Sequence, residues 1–278
     1  MEKEKYSLDV IVAAYNAEDT IRKCLESILK QSYSEVKIIV VDDGSTDRTE
    51  SIVAEISAQN SDKITLLTQS NAGPSAARNL GVSNSKSDFI GFVDADDYIA
   101  ESMYSEMLSV ADGKTDLVIC GRYDVLSNGK HQAILPNIKH DNTNIFNNKS
   151  LLSRTSLFVW DKVYRRSIVE EFNIRFPESI KYAEDAVFLT SFKLHINKCR
   201  VVSSPLYFYT ECREGSITRE CNESWLDIPK ALNIINKYYL EYGIFFEFWG
   251  ELENLSIGYF KRRVNSLSVH TNKKMQLK

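Results

Sequence analysis

Apolar positions along this chain come in short, nearly unbroken runs, each followed by a stretch where they recur every three or four residues. Residues 8–16, Leu-Asp-Val-Ile-Val-Ala-Ala-Tyr-Asn, read as a buried first strand. Ile21, Leu25, Ile28 and Leu29 then repeat at helical spacing. Residues 36–41 form a second, β-branched strand, and Ile52, Val53 and Ile56 mark the helix after it. Residues 64–67 are a third strand, and a helix starts after the turn Asn71-Ala72-Gly73-Pro74. Residues 88–93 are a fourth strand. A helix over 101–111 and a fifth strand over 116–121 follow. Residues 122–145 are polar and irregular and read as a hairpin or loop. Residues 160–164 precede a short helix. A further helix opens at Tyr182-Ala183-Glu184-Asp185, and residues 200–209 are a strand. Beyond residue 220 the pattern is helical, with Leu232, Ile235, Tyr239, Tyr242, Phe246, Trp249 and Leu252 at three- to four-residue spacing.

Alternating apolar strands and helices predict a parallel sheet covered on both faces. In open α/β sheets, ligands bind outside the carboxyl ends of the strands. Three polar turns fall there: Tyr15-Asn16, Asp42-Asp43 and Asp94-Ala95-Asp96. On extended backbone, Asp94 and Asp96 point the same way and Asp97 faces differently. Clustered carboxylates repel, and a divalent cation relieves that cost. Hard oxygen ligands suit Mg²⁺ or Mn²⁺ where phosphates complete the shell. Taken alone, the same residues read as an exposed acidic turn before a helix. Three convergent turns favour a site.

Composition narrows this further. The chain's 278 residues, 43% hydrophobic, suffice for one sizeable core or a core with a smaller subdomain. The net charge of -4, from 34 basic and 38 acidic residues, does not suggest a nucleic-acid binder. Five scattered cysteines without a C-x-x-C pair are expected to be reduced thiols of a cytoplasmic chain, with a Cys212–Cys221 bridge as the less favoured option. The charged first residues are not a signal peptide, and no apolar run reaches the length of a membrane span. The four histidines show no metal spacing. Residues 261–278 hold six Lys or Arg and no acidic residue.

Four segments in order are Val12-Ala13-Ala14-Tyr15-Asn16, Val41-Asp42-Asp43-Gly44-Ser45-Thr46-Asp47, residues 71–79 (Asn-Ala-Gly-Pro-Ser-Ala-Ala-Arg-Asn), and Phe92-Val93-Asp94-Ala95-Asp96-Asp97. Together they resemble the family 2 glycosyltransferases. Trp160-Asp161-Lys162, Tyr182-Ala183-Glu184-Asp185 and residues 213–218 resemble that family's bacterial polysaccharide-assembly branch. The resemblance implies a GT-A fold: a Rossmann-like α/β domain, its mostly parallel sheet flanked by helices. Residues 1–220 would form this catalytic domain, with a nucleotide-binding half at 6–100 and an acceptor half at 101–220. Residues 221–278 would be a C-terminal helical extension with a basic tail. It also implies an inverting transfer of one sugar from a nucleotide-sugar donor, a UDP-sugar, to a glycan, lipid-linked or protein-linked acceptor.

Carried over by residue, Ala13 and Tyr15 would line the base pocket, and Asp42 and Asp43 would meet the uracil edge. Arg78 would lie against the diphosphate. Asp94, Ala95 and Asp96 would form the donor and metal motif, with Asp96 on the metal. Asp185 would be the general base. Arg213 and Ser216 would contact phosphate from a closing loop. Trp160 is either a core residue or an acceptor-stacking platform. Lys162 is either a solvated lysine or a phosphate or acceptor contact. Glu184 would support Asp185. The Gln-x-x-Arg-Trp signature of processive synthases is absent, which points to single transfers. A non-catalytic nucleotide-sugar-binding module is the alternative. The aromatic stripe and basic tail would either dock on the inner face of an anionic membrane or pack against the catalytic domain or a second subunit.

Overall fold

The computed structural model describes residues 5–138, 149–153, 155–210, 227–259 and 261. The first half is a run of strand–helix units: β1 (Leu8–Ala14), α1 (Ile21–Leu29), β2 (Val36–Asp42), α2 (Thr49–Gln59), β3 (Ile64–Thr68), α3 (Pro74–Asn84) and β4 (Phe89–Phe92). Their strands lie in the order β3-β2-β1-β4, all parallel. Each residue type fits its place. The strands are β-branched and apolar, and alternate side chains feed opposite faces. Ile11, Ile90 and Phe92 join one core; Val10, Val12 and Phe89 join the other. The one carboxylate inside β1, Asp9, is buried but accepts from the Ser85 hydroxyl and the N–H groups of Lys86 and Ser87. It therefore ties off the end of α3 rather than standing as an uncompensated charge.

The second half is mixed. It comprises β5 (Tyr98–Ile99), α4 (Met103–Ser109), β6 (Leu117–Val125), β7 (His131–Ile134), the single turn α5 (Ser150–Ser153), β8 (Lys162–Arg165), α6 (Arg166–Glu171), α7 (Glu184–Lys193) and β9 (Cys199–Thr210). The sheet continues from β4 through β8, β6 and β9 to β5, with β7 paired to β6. β8 is antiparallel to both β4 and β6, whereas β6 and β9 are parallel. The irregular stretch after residue 121 contains the hairpin partner β7. Residues 160–164, read as a lead-in to a helix, are in part the central strand β8. Four residues are too few to display a periodicity.

α8 (Asp227–Glu241) packs against α7, and its Ile228, Ala231, Leu232, Ile235 and Tyr239 join the core on that face. Phe248, Leu252 and Leu255, from the segment that leads into and forms a helix over residues 249–259, join the same core. No helix among the described residues is long and apolar enough to cross a membrane. Cys24, Cys120 and Cys199 are buried free thiols; Cys212 and Cys221 lie outside the described residues.

Candidate active site

Because β1 to β4 are parallel, their carboxyl ends share one edge, and the loops leaving them are laced together. The loop after β1 is tied to the loop after β2: the Asn16 N–H donates to Ser45 Oγ at 3.0 Å, and the Thr46 N–H donates to Asn16 Oδ1 at 2.8 Å. Asn16 holds φ 47, a left-handed conformation that asparagine tolerates better than most residues. Tyr15 is half exposed at this edge and Ala13 is partly buried beneath it. Asp42 accepts from the N–H and hydroxyl of Ser45. Asp43 ties the loop after β2 to the loop after β3, accepting from Gln69 Nε2 (2.7 Å) and the N–H groups of Ala72 (2.9 Å) and Gly73 (2.8 Å). Both carboxylates are buried, and both brace turns. Recognition of a uracil edge by either would use lone pairs left over from these bonds.

The acidic motif differs from the sequence expectation in one respect. The strand stops at Phe92, and the Asp97 N–H donates to the Asp94 carbonyl at 3.0 Å, closing a turn over 94–97. The alternation argument assumed extended backbone and fails there. Carboxylate oxygens of Asp94, Asp96 and Asp97 all lie within 4.8 Å of one another. Asp97 does not face away; it is buried beneath the other two, accepting from the Tyr207 hydroxyl (2.8 Å) and the Thr210 N–H (2.7 Å). Burial, then the charges of Asp94 and Asp96, push its carboxyl well above the usual range. Such a set of crowded hard oxygens fits a divalent cation of the Mg²⁺ or Mn²⁺ kind. The turn is supported from α1: Thr20 donates to the Ala95 carbonyl at 2.9 Å, and the Cys24 thiol lies 3.5 Å from the Asp94 carbonyl.

Arg78 joins this cluster to α7. It stands one turn into α3, with a side chain only 10% exposed, and its guanidinium lies over the Phe176 ring. One Nη is 3.0 Å from Asp94; the other is 2.9 Å from Glu184 and 3.4 Å from Asp185. It is neither a surface helix residue nor open toward solvent. Its bonds to these carboxylates use Nη1 and Nη2, so a diphosphate contact would draw on the remaining N–H donors or displace a carboxylate. Glu184 and Asp185 occupy the first turn of α7, entered through Ala183 at φ 67. Asp185 also accepts from the Val159 N–H at 3.3 Å. Burial raises its carboxyl to about 8; Glu184 and Asp94 push the same way, and Arg78 opposes them. One cation facing three carboxylates cannot hold all of them ionised at ordinary cost.

Two acceptor candidates are buried. Trp160 is 1% exposed, with its ring stacked on Tyr207 at 4.1 Å and on Phe158 at 4.8 Å, so it offers no open face to a sugar. Lys162 is fully buried, bonded to Asp161, Ser156 and the Phe158 carbonyl, and is not a solvated lysine. Arg213 and Ser216 lie outside the described residues. Sequence reasoning missed Asp97, Tyr207 and Val159. Asp97 carried a signal, as the third acid of the motif. Tyr207 and Val159 carried none, because only the pairing of β9 with β5 and the fold of the 155–161 loop bring them in.

Carboxylates and a buried arginine gathered at the carboxyl edge of a parallel sheet define an α/β enzyme that works at its strand ends. The family model for glycosyl transferase family 2 matches residues 9–172. The chain belongs to that family and is a glycosyltransferase. It is 33% identical over 246 residues to an uncharacterized glycosyltransferase of Bacillus subtilis, EpsJ, covering 85% of this chain and 71% of that one. It is 31% identical to the poly(ribitol-phosphate) beta-N-acetylglucosaminyltransferase TarS of Staphylococcus aureus, over 81% of this chain and 39% of TarS. A crystal structure of TarS residues 1-349 with UDP-GlcNAc superposes with TM-score 0.72 at 28% identity, over 84% of this chain and 66% of that chain. The fold is accordingly GT-A, with C-terminal helices added.

Proposed function

We propose that this glycosyltransferase moves one sugar per event, with inversion, from a UDP-sugar to a hydroxyl of a glycan, lipid-linked or protein-linked acceptor in polysaccharide or glycoconjugate assembly. The structure of TarS with UDP-GlcNAc supports the uridine donor and makes an N-acetylhexosamine the first sugar to try. The reading rests on the Arg78 junction, where one buried guanidinium spans the acidic motif and the α7 carboxylates. A donor seated at the strand ends would have its leaving group toward Asp94 and Asp96 and its sugar toward Asp185.

In this reading Asp185 takes the proton of the acceptor hydroxyl, the single base that an in-line displacement needs. Glu184 shares Arg78 and holds the guanidinium in place. Ala13, Tyr15, Asp42 and Asp43 would surround the base, and Arg213 and Ser216 would contact the phosphates. Asp94 and Asp96, with Asp97 behind them, would hold a divalent cation, which when bound neutralises charge on the departing diphosphate. Residues 1–220 carry the catalysis and 221–278 form the extension. The enzyme works in the cytoplasm at the inner membrane face, docked through exposed aromatics and the basic tail.

The test is UDP release across a panel of UDP-sugars with candidate acceptors, in Mn²⁺ and in Mg²⁺, with Asp185→Asn alongside. Metal-dependent release with one donor, lost in the variant while UDP still binds, is the expected result. UDP binding without turnover on any donor would instead make the chain a nucleotide-sugar-binding module.

A further inference from the structure

We infer that Lys162 is a positioning residue for the general base, acting through the loop that precedes β8; the inference rests on reading Asp185 as that base. Lys162 begins β8 and pairs with Ile119 of β6, so its backbone is fixed in the middle of the sheet. Its ammonium has no exposure, and a buried ammonium persists only when it is paired and hydrogen-bonded. All its partners lie on the preceding segment: the Asp161 carboxylate, the Phe158 carbonyl at 2.8 Å and the Ser156 hydroxyl at 3.2 Å. These acceptors sit one, four and six residues back along the chain. A single cation therefore gathers the whole loop around itself. Neutralising Asp161 alone would not require the other two bonds.

The gathered loop then grips α7 at two places. The Val159 N–H reaches Asp185 in the first turn. The Thr155 hydroxyl accepts from the buried Lys193 side-chain nitrogen, in the last turn, at 2.5 Å. Asp185 and Lys193 are eight residues apart, about two helical turns, so both grips fall on one face of the helix. The path is continuous: sheet, Lys162, loop, Asp185. Lys162 touches neither donor nor acceptor in this arrangement; it sets where the carboxylate of Asp185 points.

The test uses the full chain and two variants, Lys162→Met and the double variant Asp161→Asn with Lys162→Met. The second leaves no unpaired buried charge if the first fails to fold. We expect kcat to fall roughly 10- to 100-fold, as for a misplaced catalytic group, with donor KM within about twofold. The acid limb of the kcat profile should move to higher pH, because the Val159 N–H bond favours the ionised form of Asp185. The Val159 amide should be protected from hydrogen exchange in the parent chain, through its bond to Asp185, and should exchange faster in both variants. A folded double variant with parental kcat, acid limb and Val159 protection overturns the inference. So does a parental Val159 amide exchanging at the rate of an exposed loop. Asp185→Asn, run in parallel, separates the two readings: if it stays active the base assignment falls, and if it is dead while the Lys162 variants are unaffected only the present inference falls.

Discussion

At the scale of single residues, the site is a problem of charge. Asp185 has a carboxyl raised to about 8, against an ordinary value near 3.9. A base must be ionised to work, so kcat/KM should climb with pH along a limb near 8 set by Asp185 in its buried place. Stability runs the other way. A folded-state value above the unfolded one contributes stability that is fully present below about 4 and is lost as pH rises through about 8. Asp185→Asn, fixed in a neutral form, is expected to lower turnover by roughly 10²- to 10⁴-fold and to melt higher than the parent above pH 8. Thermal melts and rate profiles over the same pH range check both halves. Arg78 gives the opposite case. Arg78→Met would leave three carboxylates without their shared cation and should cost about 3–5 kcal/mol, seen in denaturant unfolding. Arg78→Lys should rescue only part of this, since one ammonium lacks the fork that spans Asp94 and Glu184.

At the scale of elements, α3 carries Arg78 and must lie close on the sheet. Gly81 makes that approach possible: a Cβ there would stand 2.4 Å from Ile11 Cγ2. Gly81→Ala should destabilise by about 1–3 kcal/mol. Combining it with Ile11→Ala should cost less than the sum of the two single changes, a coupling that a double-mutant cycle in denaturant measures. A sum that is simply additive would mean α3 does not rest on Ile11. The strands β1 to β4 were legible because each is a buried run long enough to show β-branched content. The carboxyl-edge turns were legible because Gly44, at φ 71, and Gly73, at φ 93, punctuate them. Asp185 and Arg78 were named from their motifs, but their ion pair was not, since it joins residues more than a hundred positions apart. The burial of Trp160 was one of two readings open in the sequence, and that of Lys162 was invisible. The latter follows from β8 lying between β4 and β6, and a four-residue antiparallel strand leaves no periodic trace.

At the scale of the whole molecule, the C-terminal helices do two things at once. Their inner face, from Ile228 to Leu255, completes the core beside α7, so a chain ending at residue 226 should expose that core and precipitate or melt early. The end of α8 and the turn after it carry a different pattern. Leu240, Tyr242, Phe246 and Trp249 are 55%, 51%, 85% and 53% exposed, within ten residues of sequence. Aromatic residues favour the interfacial layer of a bilayer, and Lys or Arg near an anionic surface contributes about 1 kcal/mol each. The six basic residues of 261–278 lie further along the chain, beyond the helix over residues 249–259. The full chain should therefore float with vesicles containing phosphatidylglycerol and stay behind with phosphatidylcholine alone. Removal of residues 261–278 should abolish flotation at physiological salt, and Phe246→Ser with Trp249→Ser should weaken it without changing UDP release in solution. If flotation is absent, or is the same for all three proteins, the aromatic side does not meet a membrane. Concentration-dependent sedimentation that the two serine changes abolish would then assign it to a second copy of the chain.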